Sequence, residues 1–270
     1  MTTAAGLTVD SLTVRFGAQV AVNDLSLDAS LARLTGLIGP NGAGKTTTFN
    51  ACSGLNSPSA GRVSLFGRDV TRLGAAARAR RGLGRTFQRM ELFGSMTVEE
   101  NLVAARDARL AGANPLRQFF ATSAERRATS SAVERALDQC GLGPVRDRNV
   151  AGLSTGQRRL VELARALVSD FRFLLLDEPS SGLDPRETEA FGTILRRLID
   201  EDGLGILLVE HDMSLVMAVC DYLYVLDFGV LIFQGTPNEV QTSPIVRAAY
   251  LGEEEGLGES EALVLELEGH

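Results

Sequence analysis

The chain has 270 residues, 44% of them hydrophobic, a net charge of −7 and a pI near 5.0. That length suits one large α/β domain, and the acidic balance weighs against non-specific nucleic-acid binding. No stretch approaches the ~20 apolar residues that cross a bilayer, and residues 1–10 have neither a basic start nor an apolar core of a secretory signal. Cys52, Cys140 and Cys220 are scattered and odd in number, which excludes a disulfide frame and fits reduced thiols in the cytosol.

Leu7 to Val14 reads as a strand, followed by a second over Val20 to Leu27 and a short apolar run, Leu34 to Ile38. A helix is predicted from Thr46 to Ser53, stopped by Gly54. Strand signals return at Gly61 to Phe66 and Leu83 to Phe87. From about Arg89 to Asn149 the pattern turns helical, with a start at Thr97-Val98-Glu99-Glu100 and a long run from Ser123 to Cys140. After Gly152 the alternation resumes: helix Gly156 to Val168, strand Phe171 to Leu176, helix Arg186 to Asp200, strand Gly205 to Val209. Strand-like runs at Tyr222 to Leu226 and Val230 to Gln234 and a short helix at Ile245 to Leu251 complete it. Strands alternating with helices imply a largely parallel sheet with its ligand at the carboxyl ends of the strands. Charge is uneven. Seven arginines between Arg68 and Arg89 oppose a single aspartate, forming either a solvated helix face or a surface for an anionic partner. Gly252 to His270 holds seven glutamates and no base.

One lysine stands among the 27 basic residues, and it closes the string Gly39-Pro40-Asn41-Gly42-Ala43-Gly44-Lys45-Thr46-Thr47. This fits the phosphate-binding loop G-x-x-x-x-G-K-[ST]. In a chain that otherwise uses arginine, the lone ammonium suggests a need for a compact point charge between β- and γ-phosphates, where a planar guanidinium fits poorly. The glycines let backbone N–H groups wrap a phosphate, the next helix offers the positive end of its dipole, and Thr46 brings a hydroxyl for Mg²⁺. Phe173-Leu174-Leu175-Leu176-Asp177-Glu178 is a buried strand ending in two carboxylates. Beside a phosphate loop, Asp177 is placed to hold Mg²⁺ and Glu178 to orient or deprotonate the attacking water.

Leu153-Ser154-Thr155-Gly156-Gln157 can be read as an ordinary helix cap, but between the two phosphate-site motifs it resembles the signature of the ATP-binding cassette (ABC) family, with Thr155 where glycine is commoner. The resemblance extends in order along Leu7 to Leu251. It implies a Q-loop glutamine at Gln88 that meets Mg²⁺ and the water, a D-loop at Ser181-Gly182-Leu183-Asp184, a switch histidine at His211 and an adenine-stacking ring at Phe16. Arg85-Thr86-Phe87-Gln88, Leu92-Phe93, Met96 to Asn101, Glu210-His211-Asp212-Met213, Gly235-Thr236-Pro237 and Ala249-Tyr250-Leu251-Gly252 are similar to the ATPases of branched-chain amino acid importers, a group that shares much with urea and amide importers.

That family implies a P-loop NTPase (RecA-like) core with a mostly parallel sheet, an antiparallel N-terminal β subdomain and an inserted α-helical subdomain. The expected division is one cassette over residues 1–252, with its core at about 1–88 and 152–252 and the helical insertion at about 89–151. The implied cofactors are ATP and Mg²⁺. Implied partners are membrane permease subunits, a second ATPase whose Ser154, Gly156 and Gln157 equivalents close on this chain's nucleotide, and indirectly an extracytoplasmic binding protein, with the chain peripheral on the cytoplasmic membrane face. Soluble ABC proteins of translation or DNA repair carry tandem cassettes or a very long coiled coil, neither of which is visible. Residues 253–270 are expected to be an acidic tail, or a linker whose Leu263-to-Glu268 alternation opens a second cassette.

Overall fold

The computed structural model describes residues 5–86, 91–111 and 123–250. Strands β1 (Leu7–Phe16) and β2 (Gln19–Ala29) pair antiparallel, and β4 (Ala60–Leu65) and β5 (Arg68–Asp69) extend them into a sheet ordered β2-β1-β4-β5. Leu7, Val9, Leu12 and Val14 of β1 are buried while Asp10 and Arg15 are exposed, the alternation of a sheet wet on one face. A second sheet has the order β10-β9-β3-β8-β7-β6, built from β3 (Arg33–Ile38), β6 (Leu83–Arg85), β7 (Phe173–Asp177), β8 (Gly205–Val209), β9 (Tyr222–Asp227) and β10 (Val230–Gly235). Its strands run parallel from β9 through β6, and only β10 is antiparallel to its neighbour.

Every residue of β7 and β8 is buried, because this sheet is covered on both sides. Leu174, Leu176, Ile206, Leu208, Leu223 and Val225 join a core with the helices α5 (Thr155–Leu167), α6 (Pro185–Asp202) and α7 (Met213–Val219). Their neighbours Phe173, Leu175, Leu207, Val209 and Leu226 point the other way, into a core shared with the antiparallel sheet and α1 (Lys45–Ser53). Each such side chain contributes about 1.5–3 kcal/mol by leaving water. The three cysteines are buried and free, and burial pushes the Cys52 and Cys140 thiols up to about 12, so they stay protonated and inert.

Helices α3 (Val98–Ala111) and α4 (Ser123–Gln139) pack with α5. Thr97 and Glu100 form the predicted start of α3 reciprocally: Thr97 N–H donates to Glu100 Oε2 at 2.8 Å, and Glu100 N–H to Thr97 Oγ1 at 3.2 Å. The chain enters and leaves this helical segment side by side. Val98 N–H donates to Arg148 O, Glu99 N–H to Arg146 O and Val150 N–H to Met96 O, all at 3.0–3.1 Å. No helix among the described residues is long and apolar enough to cross a membrane.

The predicted strands and long helices lie where the sequence puts them, with shifted ends. The strand expected from Phe171 begins at Phe173, and Phe171 instead packs its ring under Arg109. The short α2 (Ala75–Arg80), α7 and α8 (Pro237–Thr242) are not legible in the sequence as elements. Residues 244–250 are helical, as expected; Phe87, Gln88 and the acidic tail lie outside the described residues.

The arginine-rich segment is not a uniformly solvated face. Arg78 of α2 is 1% exposed, and its guanidinium donates to the carbonyls of Leu73, Ala51, Cys52 and Thr71 at 2.6–3.0 Å. Ala51 and Cys52 belong to the last turn of α1, so a buried cation binds carbonyls at the negative end of that helix, where Ala51 O also accepts the Gly54 N–H at 3.3 Å. Arg78→Ala is therefore expected to lower the unfolding free energy by about 3 kcal/mol, since it strands several buried acceptors at once. Urea denaturation of the purified chain measures this, and Arg78→Lys should restore only part, because one ammonium cannot reach four carbonyls. A loss under about 0.5 kcal/mol would mean that water replaces the guanidinium.

Candidate functional site

Three parallel strands end in step: Leu37 is paired with Val209, and Val209 with Asp177. The loops starting at Gly39, Glu178 and Glu210 therefore leave the same sheet edge. From β3 the chain turns through Gly39 to Gly44 and enters α1 at Lys45. Gly39 has φ 147° and Gly44 φ 98°, and a Cβ at these positions would lie 2.0 Å from Leu226 O and 2.7 Å from Ala21 O. Only glycine fits this tightly wound loop. Gly44 caps α1 without a side chain, and α1 has no acidic residue in its first turn, so the amides at that end keep their positive field. Lys45 is 9% exposed, and its ammonium donates to Gly39 O at 2.5 Å and Pro40 O at 2.8 Å, curling over the loop.

A cleft of about 420 Å³ opens here, lined by Phe16, Gln19 to Ala21, Asn41 to Thr47, Glu178 and Phe228. Thr46, in the first turn of α1, is exposed. The ring of Phe16, at the end of β1, is 53% exposed beside the loop.

The acidic groups behind the cleft differ sharply in setting. Asp177, 6% exposed, accepts from Arg85 Nη2 at 2.9 Å. Arg85 also donates to Asn50 and Ser53 of α1 at 2.7 and 2.9 Å, so one guanidinium joins β6, β7 and the phosphate-loop helix. Burial raises the Asp177 pKa from its ordinary value, and the Arg85 hydrogen bond and charge oppose that rise. Glu178 lines the cleft with φ 48°, a left-handed backbone that costs a glutamate about 1 kcal/mol or more. Its N–H donates to Val209 O at 2.9 Å, which fixes the turn, and its Oε1 lies 3.4 Å from His211 Nδ1. Glu210 is 1% exposed; Oε1 accepts from Ser180 N–H at 2.8 Å, and Oε2 from His211 N–H at 3.1 Å and Asp212 N–H at 3.4 Å.

Ser154 and Gln157 begin α5 as a reciprocal capping box, each side chain meeting the other's backbone at 3.2 Å. The cap reading of this string is thus physically true. Gly156 is the tight point: a Cβ there would fall 2.4 Å from a Glu187 carboxylate oxygen. Glu187 in turn boxes with Asp184 at the start of α6. The 153–157 string and the 181–184 loop of one chain therefore adjoin each other. Ser154, Gly156, Gln157 and Asp184 are not among the residues lining the cleft. Gln88 lies outside the described residues.

Sequence reasoning assigns no role to three contributors: Arg85 and Glu210, which it meets only as members of longer strings, and Phe228. A charge at the end of a buried strand, and a carboxylate directly after the all-apolar β8, are the signals that could have found the first two.

The residues present suit a nucleoside triphosphate. The loop offers backbone N–H groups, a helix start and one ammonium for the phosphates, and the cleft continues to an aromatic ring. The ABC transporter family profile matches residues 22–181, and that of the branched-chain amino acid ATP-binding cassette transporter matches residues 230–256. The high-affinity branched-chain amino acid transport ATP-binding protein BraF of Pseudomonas aeruginosa is 40% identical over 250 residues, covering 92% of this chain and 98% of that protein. LivG of Escherichia coli K12, described in the same words, has the same identity and coverage. Among solved structures, the ADP conformation of MJ1267, an ATP-binding cassette of an ABC transporter, superposes with a TM-score of 0.81 at 29% identity, over 92% of this chain and 99% of that one. A phosphate loop on the in-step edge of a parallel sheet, matched along nearly its whole length by such proteins, places the chain in the ABC transporter family of ATP-binding proteins.

Proposed function

We propose that this chain is the ATP-binding and hydrolysing subunit of an importer for branched-chain or other hydrophobic amino acids, held at the cytoplasmic membrane face by permease subunits. The observation that carries the substrate class is the 40% identity over 98% of BraF and LivG, both branched-chain amino acid transport ATP-binding proteins.

Gly39 to Thr47 take the phosphates, with Lys45 as the charge between the outer two, and Phe16 takes the adenine. Thr46, Asp177 and Gln88 would hold Mg²⁺. The fit is chemical: a hydroxyl and a carboxylate are hard oxygen donors, the kind Mg²⁺ takes in ones and twos beside substrate phosphates. When bound, Mg²⁺ supplies neutralisation of the β- and γ-phosphate oxygens. Glu178 aligns the attacking water and accepts its proton, and His211, in contact with Glu178, reaches toward the γ-phosphate. Ser154, Gly156 and Gln157 serve the nucleotide of a second ATPase subunit, identical or related, which explains why they stand outside this chain's own cleft. Catalysis then consists of positioning and charge stabilisation, and closure of the pair drives the membrane subunits, which receive substrate from an extracytoplasmic binding protein.

The direct test is isolation of the native complex and reconstitution into vesicles: ATP-dependent uptake of labelled leucine, isoleucine or valine is expected. Co-isolation with ribosomes or DNA, or transport of urea or amides alone, would sink the substrate assignment. Glu178→Gln should keep Mg-ATP affinity within about twofold and cut turnover by about a hundredfold or more, since the amide keeps the shape and loses the base. Near-parental turnover in the full complex removes Glu178 from this role. Lys45→Arg should weaken ATP binding about tenfold or more despite the retained charge, as measured by calorimetry. Parental affinity would show that the solitary lysine carries no special requirement. Ser154→Arg should abolish ATP-driven pairing of subunits, read by sedimentation, while the isolated chain still binds ATP. The lost cap costs α5 about 1 kcal/mol, too little to unfold it. Equal losses of affinity and pairing would contradict a role in trans.

A further inference from the structure

The β9–β10 hairpin carries a residue that its own fold does not account for. Asp227 pairs with Val230, leaving Phe228 and Gly229 as the two-residue turn, with φ of 42° and 78°. Positive φ at both central positions is the geometry that asparagine and glycine adopt most readily. Phenylalanine there is strained and has no polar atom to bond its own backbone. Packing does not offset this either: Phe228 is 87% exposed, the most exposed of the large hydrophobic side chains among the described residues.

The turn is nevertheless held firmly. Gly229 N–H donates to Ala43 O of the phosphate loop at 3.0 Å, and Gly229 O accepts from Asn23 N–H of β2 at 2.8 Å. A Cβ on Gly229 would sit 2.6 Å from Ala21 O, so the turn backbone lies directly on β2. These bonds fix an exposed ring at the margin of the phosphate-loop cleft, which Phe228 lines together with Phe16 and Gln19 to Ala21. Phe16 and Phe228 are its two aromatic lining residues.

The geometry points to Phe228 as a second aromatic contact for the adenine base of bound ATP, contributed by the β9–β10 hairpin rather than by the β1–β2 end that carries Phe16. The inference rests on the nucleotide-binding reading above and adds a base-binding residue to it. The chemistry is stacking and apolar contact with a purine face. The residue acts on the base alone, because a phenyl ring offers nothing to phosphate. The strain at φ 42° is then compensated by ligand contact, and the bond to Ala43 keeps the base contact and the phosphate cradle in fixed relation.

Two measurements on the full chain test this. Equilibrium binding of ATP and of inorganic tripolyphosphate is compared for the parent and Phe228→Ala. The variant is expected to bind ATP about fivefold more weakly and tripolyphosphate equally well. The chain contains no tryptophan, so Phe228→Trp introduces a single indole that can be excited selectively over the three tyrosines, and ATP should change its fluorescence while tripolyphosphate should not. Equal ATP affinity of parent and Phe228→Ala, an equal loss for both ligands, or fluorescence of the Phe228→Trp variant that is indifferent to ATP overturns the base contact. If the parent itself fails to bind ATP, the nucleotide-binding reading falls first and this contact with it.

Discussion

The site depends on the register of three parallel strands. Because β3, β8 and β7 end level with one another, a glycine loop, a strained glutamate turn and a carboxylate–histidine pair emerge at one edge. That register is held by burial. A one-residue slip in β7 would turn Phe173 and Leu175 toward the helices, and Leu174 and Leu176 toward the antiparallel sheet. The two cores are lined by different residues, so such a slip would disrupt the packing of both. The precision of a polar site is here a by-product of apolar packing on two faces of one sheet.

Along the carboxyl edge, three acidic groups within a few residues of the strand ends meet three different physical situations. Asp177 is buried against a guanidinium, Glu178 stands in the cleft on a left-handed backbone, and Glu210 is enclosed by three amides. Side-chain chemistry is nearly the same in all three, so environment alone separates a carboxyl group anchored by a guanidinium, one open to the cleft and one that holds three backbone amides together. The Glu210 carboxylate joins Ser180 to His211, so the segment after β7 and the segment after β8 share one anchor.

Much of this was legible in the sequence, for definable reasons. Both-face burial makes β7 and β8 nearly continuous apolar runs, and a tightly wound loop demands glycine at fixed spacing, so both leave a strong one-dimensional trace. Helices α2, α7 and α8 are six or seven residues long, about two turns, too short for a periodic stripe to emerge. The Arg85–Asp177 pair joins residues 92 positions apart, and nothing local to either strand announces it. The arginine-rich segment misled in an instructive way, because charge counts along a chain do not say which guanidinium will turn inward to serve carbonyls. Phe228 hid in a hairpin where a large apolar residue is the least expected type.

The clasp at the base of the helical segment has a consequence for how the chain can vary. Residues 94–99 and 146–151 are hydrogen-bonded to each other, including a bridge between Thr97 and Asn149. The two ends of everything between them are therefore already neighbours, and the entropy of closing that excursion grows only slowly with its length. Residues can be added to or removed from the far side of α3 and α4 without the sheet having to move, much as a pendant can change size on an unchanged chain link. Length variation in this protein should accordingly be tolerated most readily there, and least in the short turns that bind β9 and β10 to the phosphate loop.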